Sequence, residues 1–281
     1  MPNTIVSDVT QQLTGFGFMS EARGHCQAYE LPVDDYSTIE PKRNSKGRHV
    51  VGVSGGKDSV ALALRLAEVE PETDWEYLIT PTGDELPEMV EHWENLERIL
   101  GKKFIRVTNH NINLNGLIDI QKALPNFRQR WCTRILKIEP TIAWCVRNKP
   151  VIMHVGLRAD ESEREGIYSD LVLSRFPFRE WGWGINEVLG YLKERGITIP
   201  KRTDCARCYH QRIGEWRDLW RDYPHLYWEA SAQETKHGHT FRSPGRDTWP
   251  TALADLAREF SNGRPIRNDG RESGICRVCS L

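Results

Sequence analysis

The sequence predicts an α/β protein built on a doubly wound parallel sheet, followed by a small Cys-rich helical module at the C-terminus. Three observations carry this. An apolar strand, Arg48-His49-Val50-Val51-Gly52-Val53, runs straight into Ser54-Gly55-Gly56-Lys57-Asp58-Ser59 and then into an apolar helix. Beyond it, segments with strand and helix patterning alternate as far as Leu157, which implies a parallel sheet covered on both faces, with ligands at the carboxyl ends of the strands. Two Cys-x-x-Cys pairs, Cys205/Cys208 and Cys276/Cys279, mark the last stretch. The expected division is an extension over 1–45, a nucleotide-binding α/β domain over 46–200 and the Cys-rich module over 201–281.

Residues 1–45 scatter Gly, Pro and Asp without periodicity and read as an extension packed on the core. The lone Cys26 and Cys145 read as small buried side chains. The stretch 54–59 reads as a phosphate site. Gly55 and Gly56 let the backbone turn tightly against an anion, and the following helix aims unpaired N–H groups and its positive dipole end at the same point. Ser54 and Ser59 add hydroxyls, and Lys57 adds a charge. It is not a Walker A loop, which needs glycine where the chain has Val51 and Ser or Thr where it has Asp58. A carboxylate beside phosphates needs a divalent cation between them, so Asp58 reads as a Mg2+ ligand.

The helix at 59–69 is apolar nearly all round, as expected against a sheet. Trp75–Thr80 reads as a second strand, ending in Pro81-Thr82-Gly83-Asp84-Glu85; the next helix places Met89, Trp93, Leu96 and Leu100 on one face. Lys103–Thr108 reads as a third strand, 133–147 as a helix, and Val151–Leu157 as a fourth strand. Three post-strand loops, Ser54–Ser59, Thr82–Glu85 and Arg158–Ser162, are thus set to gather round one nucleotide. Arg158 and Arg164 offer planar charged forks to phosphate or sulfate.

With 281 residues and 39% hydrophobic content, the chain can bury one substantial core plus a smaller unit. No run approaches the roughly 20 apolar residues of a membrane helix, and the N-terminus lacks the basic and apolar regions of a secretion signal. A soluble cytoplasmic protein is expected. The net charge of −1 makes no global case for nucleic acid, though residues 201–281 carry 14 Lys/Arg against 11 Asp/Glu. Seven cysteines in a reducing compartment point to metal or redox chemistry rather than disulfides. From spacing alone, two Cys-x-x-Cys pairs suit zinc at least as well as iron. Arginines alternate with aromatics over Gln211–Glu234, a pattern open to strand stacking, but Ile213, Trp216 and Trp220 also recur at helical spacing, which favours core.

Ser54-Gly-Gly-Lys-Asp-Ser59 resembles the pyrophosphate loop of the N-type ATP pyrophosphatases, a group that includes the thiolation enzymes and the phosphoadenosine phosphosulfate reductase superfamily. Gly156-Leu-Arg-Ala-Asp-Glu-Ser-Glu-Arg164 resembles the superfamily's Gly-x-Arg-x-x-Glu-Ser-x-x-Arg segment. Thr82-Gly83-x-Glu85 is similar to its Asp-Thr-Gly-x-Glu loop, with Pro81 in place of the Asp. Arg130 to Pro140 resembles the Cys-Cys-x-x-Arg-Lys-x-x-Pro segment of cluster-bearing members, placing Cys132 at the first cysteine and Thr133 at the second; Cys205 and Cys208 match the other pair. The resemblance implies a Rossmann-like, adenine nucleotide alpha hydrolase-like fold. It also implies an ATP site over Ser54–Ser59, Thr82, Gly83, Arg158 and Arg164, and a 4Fe–4S cluster on Cys132, Cys205 and Cys208. Cys276 is the favoured fourth ligand, with Cys279 the other candidate. The chemistry implied is ATP-dependent adenylation, with Lys57, Asp58 and Arg158 acting on the phosphates. Sulfur from a donor such as a cysteine desulfurase is then transferred to a nucleic acid, as in DNA phosphorothioation or tRNA thiolation. Two alternatives are kept: reduction of phosphoadenosine or adenosine phosphosulfate, with Cys279 as the attacking thiol, and a nucleotide-binding partner subunit with a structural metal. The sequence leaves the oligomeric state open.

Overall fold

The computed structural model describes residues 47–109, 112–164 and 172–266. The 1–45 extension, Cys26, Cys276 and Cys279 lie outside them. Contacts divide the chain at Arg43/Asn44, so every described residue belongs to the second unit.

Five strands form one sheet: β1 (Arg48–Gly52), β2 (Trp75–Ile79), β3 (Ile105–Arg106), β4 (Val151–His154) and β5 (Leu173–Arg175). Their order is β3-β2-β1-β4-β5 and every pairing is parallel. The chain therefore winds one way from β1 to β3 and the other way from β4 to β5. A crevice opens where the winding reverses, between the carboxyl ends of β1 and β4. This is the doubly wound, Rossmann-like sheet expected.

Strand alternation sorts the core into two faces. Val51, Val53, Tyr77 and Ile79 point into a cluster with Leu62 and Leu66 of α1 (Lys57–Val69), Met89 and Leu96 of α2 (Pro87–Leu100), and Val188 and Leu192 further along. Val50, Leu78 and Met153 point the other way, against Trp144 and the buried Cys145. Each fully buried Leu or Val contributes about 1.5–3 kcal/mol, so α1, with Val60, Ala61, Leu62 and Leu66 all inaccessible, is firmly seated on the sheet.

Several strand bounds differ from the sequence reading. β2 ends one residue early, at Ile79, and β3 shrinks to two residues, because the Glu97 carboxylate takes the Phe104 N–H at 2.9 Å before the strand can use it. β4 stops at His154, since the chain turns at Gly156 toward α1, where a Cβ would stand 3.3 Å from the Asp58 backbone. β5 was not anticipated: three residues with Leu173 largely exposed give no apolar period to read.

After α3 (Leu114–Gln121), whose first turn is capped by Asn113 accepting from the Gly116 N–H at 2.8 Å, a helical run begins at Trp131, two residues earlier than expected. It passes through a π-turn over Arg134–Ile138, with the Glu139 N–H reaching back to the Arg134 carbonyl, into α4 (Glu139–Arg147). The cause is Pro140: lacking an N–H, it cannot bond the Leu136 carbonyl, and the wider register absorbs the gap.

Past β5 come α5 (Pro177–Glu180), α6 (Ile185–Glu194), α7 (Ile213–Asp222), α8 (Pro224–His237) and α9 (Leu253–Ser261). Tyr191 and Leu192 of α6 join the first core, while Trp216, Tyr227, Leu256 and Phe260 form a second with Leu117, Ile118 and Leu136. Trp216 and Tyr227 are fully buried, so most of the aromatic pattern over Gln211–Glu234 is core; Trp228 remains half exposed. No helix among the described residues is long and apolar enough to cross a membrane.

This second core encloses a carboxylate. Glu234 accepts the Phe241 N–H at 2.9 Å and the Leu253 N–H at 2.7 Å. Burial nevertheless outweighs both bonds and the nearby Arg242, lifting its pKa from 4.5 to about 7. Between those values the folded chain holds a proton that the unfolded chain has lost, so stability falls as pH rises from about 4.5 to 7 and levels off above, by up to about 3 kcal/mol. Urea midpoints across this range should decline more in the wild type than in Glu234→Gln. Parallel curves would show that the carboxyl is charged throughout.

Candidate nucleotide and cysteine site

The phosphate loop leaves β1 with Val53 N–H bonded to the Leu78 carbonyl at 2.8 Å and turns through Ser54–Gly56 into α1. Gly55 sits at φ +85°, and a Cβ there would stand 1.9 Å from Met89 Cε and 2.9 Å from Trp93 Nε1. The backbone N–H groups of Gly55 and Gly56 donate to Ser59 Oγ (3.1 Å) and Ser54 Oγ (3.3 Å). The two hydroxyls are 3.1 Å apart, and Ser59 donates to the Gly56 carbonyl at 3.0 Å. These donors converge on one small volume at the helix N-terminus. His92 Nε2 lies 3.1 Å from the Gly55 carbonyl, and since a carbonyl only accepts, that nitrogen carries the proton. Burial pulls the His92 pKa down, favouring the neutral ring that this bond uses.

Strain at positive φ costs about 1–3 kcal/mol and overpacking about as much again. Gly55→Ala should therefore lower stability by about 2–6 kcal/mol and displace the loop. Met89→Ala in the same chain should recover the steric part only, by thermal melting. A Gly55→Ala chain as stable as wild type would show the turn to be free to rearrange.

Lys57, nearly inaccessible, places Nζ 3.3 Å from Asp58 Oδ2, and Arg158 Nη1 donates to Asp58 Oδ1 at 2.9 Å. The Arg158 bond spans the crevice between β1 and β4. The same guanidinium donates through Nε to Asp160 at 2.9 Å, and Glu161 in turn accepts from Arg164 Nη1 at 2.5 Å. The structure thus brings Ser54, Gly55, Gly56, Lys57, Asp58, Ser59 and Arg158 together, with Arg164 one ion pair further out.

Thr82 and Gly83 are oriented differently. Both N–H groups, and the Thr82 hydroxyl, donate to the Glu85 carboxylate at 2.7–2.9 Å. Thr82 Oγ1 is also 3.2 Å from Cys205 Sγ. An antiparallel bridge pairs Glu85 with Cys205, the Ala206 N–H bonds the Asp84 carbonyl at 2.6 Å, and Asp84 lies against Arg207. Both side chains of that pair are 2% exposed; Nε and Oδ1 stand 2.8 Å apart as an ion pair rather than an aligned hydrogen bond, and Oδ2 accepts the Arg207 N–H at 3.1 Å. Burial pushes the Asp84 pKa up against the pull of Arg207. The loop after β2 is therefore locked to the first Cys-x-x-Cys pair.

Cys132, Cys205 and Cys208 line one cavity with Thr82, Pro125, Thr133, Lys137, Arg207 and Tyr209. A second cavity, lined by Val53, Ser54, Thr80, Glu85, Trp93, Lys137, Thr203, Asp204 and Cys205, adjoins the phosphate loop. Lys137 and Cys205 line both. Trp93 Nε1 and Thr203 Oγ1 are buried there without a hydrogen-bond partner, so the second cavity fits a polar ligand. In the first, burial raises the pKa of all three thiols, most strongly at Cys208, so these sulfurs stay protonated without a compensating cation. Their donor chemistry suits a thiolate-bound metal group, although no three His, Cys, Asp or Glu side chains among the described residues are drawn together as ligands, and Cys276 lies outside them. Cys145 is buried and raised to about 12, in keeping with a packed thiol.

A family model for the phosphoadenosine phosphosulfate reductase domain matches residues 48–200, which covers every strand and the whole crevice. The chain belongs to this family. It is 28% identical over 211 residues, 68% of its length, to an uncharacterized protein of Methanocaldococcus jannaschii, and it spans about 42% of that protein's length. Similar solved structures include the phosphoadenylyl-sulfate reductase of Candida auris in a phosphate complex, with TM-score 0.45 and 12% identity over 55% of this chain and 76% of that one. Another is the U34-tRNA thiolase NcsA of Methanococcus maripaludis with its 4Fe–4S cluster, with TM-score 0.46 and 15% identity over 86% and 82%.

The family resemblance had pointed to the loops, but several residues of the site went unassigned. His92 and Trp93 sit on the buried stripe of α2, where periodicity reads them as core. Thr203 has no motif. Asp84 and Arg207 were each in view, inside Thr82–Glu85 and Cys205–Cys208, and a charged residue enclosed by each motif was the available signal.

Proposed function

We propose that this chain is an ATP pyrophosphatase that adenylates a substrate for sulfur transfer to a nucleic acid, within an α/β domain over 46–200 and a Cys-rich module over 201–281. The observation that carries the reading is the adjacency of the two cavities: the phosphate loop opens on one, three thiols line the other, and Lys137 and Cys205 belong to both. In this reading Ser54, Gly55, Gly56 and Ser59 turn their donors from one another to the leaving pyrophosphate, with Lys57 neutralising the charge that develops. Asp58 would hold Mg2+, which would screen the phosphates, while Arg158, with Arg164 behind it, faces the nucleotide. Thr82 and Gly83 hold the wall between nucleotide and cysteines. Cys132, Cys205 and Cys208, completed by Cys276, would hold a 4Fe–4S cluster, or zinc. A sulfur donor such as a cysteine desulfurase and a nucleic-acid acceptor complete the scheme.

A second reading rests on the family itself: reduction of phosphoadenosine or adenosine phosphosulfate, with Cys279 attacking sulfur. One experiment separates the two. Anaerobically purified protein is given Mg2+, ATP and a mixture of RNA and DNA strands as acceptor, and pyrophosphate is measured, with sulfite formation from each phosphosulfate in the presence of a dithiol reductant followed in parallel. Iron and zinc contents of wild type and Cys205→Ser are read on the same preparations. Pyrophosphate without sulfite, and metal lost in the variant, is the expected result; sulfite without pyrophosphate makes the chain a reductase.

A further inference from the structure

The segment between two walls of the cysteine cavity has a construction of its own. Pro125 and Cys132 both line the cavity, so the segment between them, its rim in sequence, leaves the cavity wall and rejoins it. The tip is a closed turn: Asn126 and Gln129 exchange backbone bonds at 3.3 and 3.1 Å, and Asn126 Oδ1 accepts from the Arg128 and Gln129 N–H groups at 3.0 Å each. This preformed turn presents Phe127, 56% exposed, with the Arg128 guanidinium 5.3 Å from the ring centroid. The surrounding chain is also the wrong sign for an ordinary loop of a protein with net charge −1. Between Asp119 and Glu139 there are five cations, Lys122, Arg128, Arg130, Arg134 and Lys137, and no carboxylate, with Arg134 paired to Glu139 at the end of the run.

An exposed Phe by itself means little. The other large aromatic exposed among the described residues, Trp228, is followed by Glu229 on α8, while the remaining exposed apolar side chains are aliphatic and have no π-face. Phe127 alone of these combines a rigid mount, an aromatic face and a run of positive charge. An apolar protein surface would bury Arg128 without a counter-charge, whereas a nucleotide uses both groups, the base on the ring and the phosphate on the guanidinium. Duplex bases are stacked and cannot reach a single projecting ring.

We propose that the rim Asn126–Arg130 docks an unpaired base of a single-stranded nucleic acid, with Phe127 as the stacking face and Arg128 as the phosphate contact, at the mouth of the cysteine cavity. This rests on the nucleic-acid acceptor proposed above and gives it a place and a strandedness.

The test is fluorescence anisotropy of the full chain with labelled single strands of about 16 nucleotides, as DNA and as RNA, and with the matching duplexes. Single strands should bind more tightly than duplex, the DNA and RNA arms showing which sugar is preferred. Phe127→Ala should weaken single-strand binding about tenfold and Phe127→Trp should keep it. Arg128→Ala should shallow the salt dependence by about 0.7 in log–log slope. Equal binding of duplex, no binding, or binding indifferent to Phe127→Ala overturns the proposal. Pyrophosphate release from ATP with the same single strands present, on the same preparations, keeps the two readings apart: release with Phe127-independent binding removes only the rim, and Phe127-dependent binding without release removes only the adenylation chemistry.

Discussion

Arg207→Leu is expected to lower the stability of the chain by about 3–5 kcal/mol, the cost of leaving a buried carboxylate without its partner. Asp84 and Arg207 are each 2% exposed and 2.8 Å apart, so no water can take the place of the lost guanidinium. The loss extends to Gln233 and Glu229 of α8, which accept from the Arg207 Nη atoms at 3.3 and 3.2 Å. Asp84→Asn added to Arg207→Leu should restore much of the stability, because the amide oxygen still accepts the backbone N–H at position 207 and no charge is stranded. Urea denaturation of the three variants measures this. If Arg207→Leu stays within 1 kcal/mol of wild type, about the worth of an exposed pair, the Asp84 carboxyl is protonated or wet. Because this pair fastens the loop after β2 to Cys205–Cys208, the single variant should also loosen that cysteine pair ahead of global unfolding, read as faster thiol labelling of Cys205 and Cys208.

Under the proposed pyrophosphatase reading, Asp58→Asn is expected to slow pyrophosphate release at saturating Mg2+ and ATP by about 10²- to 10³-fold, because the Mg2+ that Asp58 would hold no longer meets the charge developing on the phosphates. The amide preserves the size of the side chain and can still accept from Arg158, so the fold should survive. Asp58 is about a quarter exposed, and its two contacts, with Lys57 and Arg158, contribute modestly to stability. Initial rates against Mg2+ concentration, alongside a melting curve, separate the two roles. A rate within fivefold of wild type would leave Asp58 as a tether for Arg158 and remove it from the metal.

Much of this could be read before any coordinates. The order of strands β1 to β4, the glycine turn after β1 and the packed role of Cys145 each follow from patterns a few residues long. The misreadings have local causes as well: a side chain, Glu97, took the first N–H of β3, and Pro140 widened a helix whose apolar pattern gave no warning. Trp216 went to the core, where helical spacing had put it, while the exposed rim residue Phe127 has no period to announce it.

The sequence by itself determined the sheet, the turn at its first strand end and the chemical types available there, because periodicity and turn chemistry act within one or two turns of chain. Tertiary structure alone decided which of those groups meet. Asp58 finds Arg158 across 100 residues, and Thr82 finds Cys205 across 123. Lys137 and Cys205 come to line two cavities at once because a sheet crevice and a helical run happen to abut. Contacts of that range leave no local pattern, since each partner's neighbours in sequence satisfy a different element, and only the packed core brings them within bonding distance.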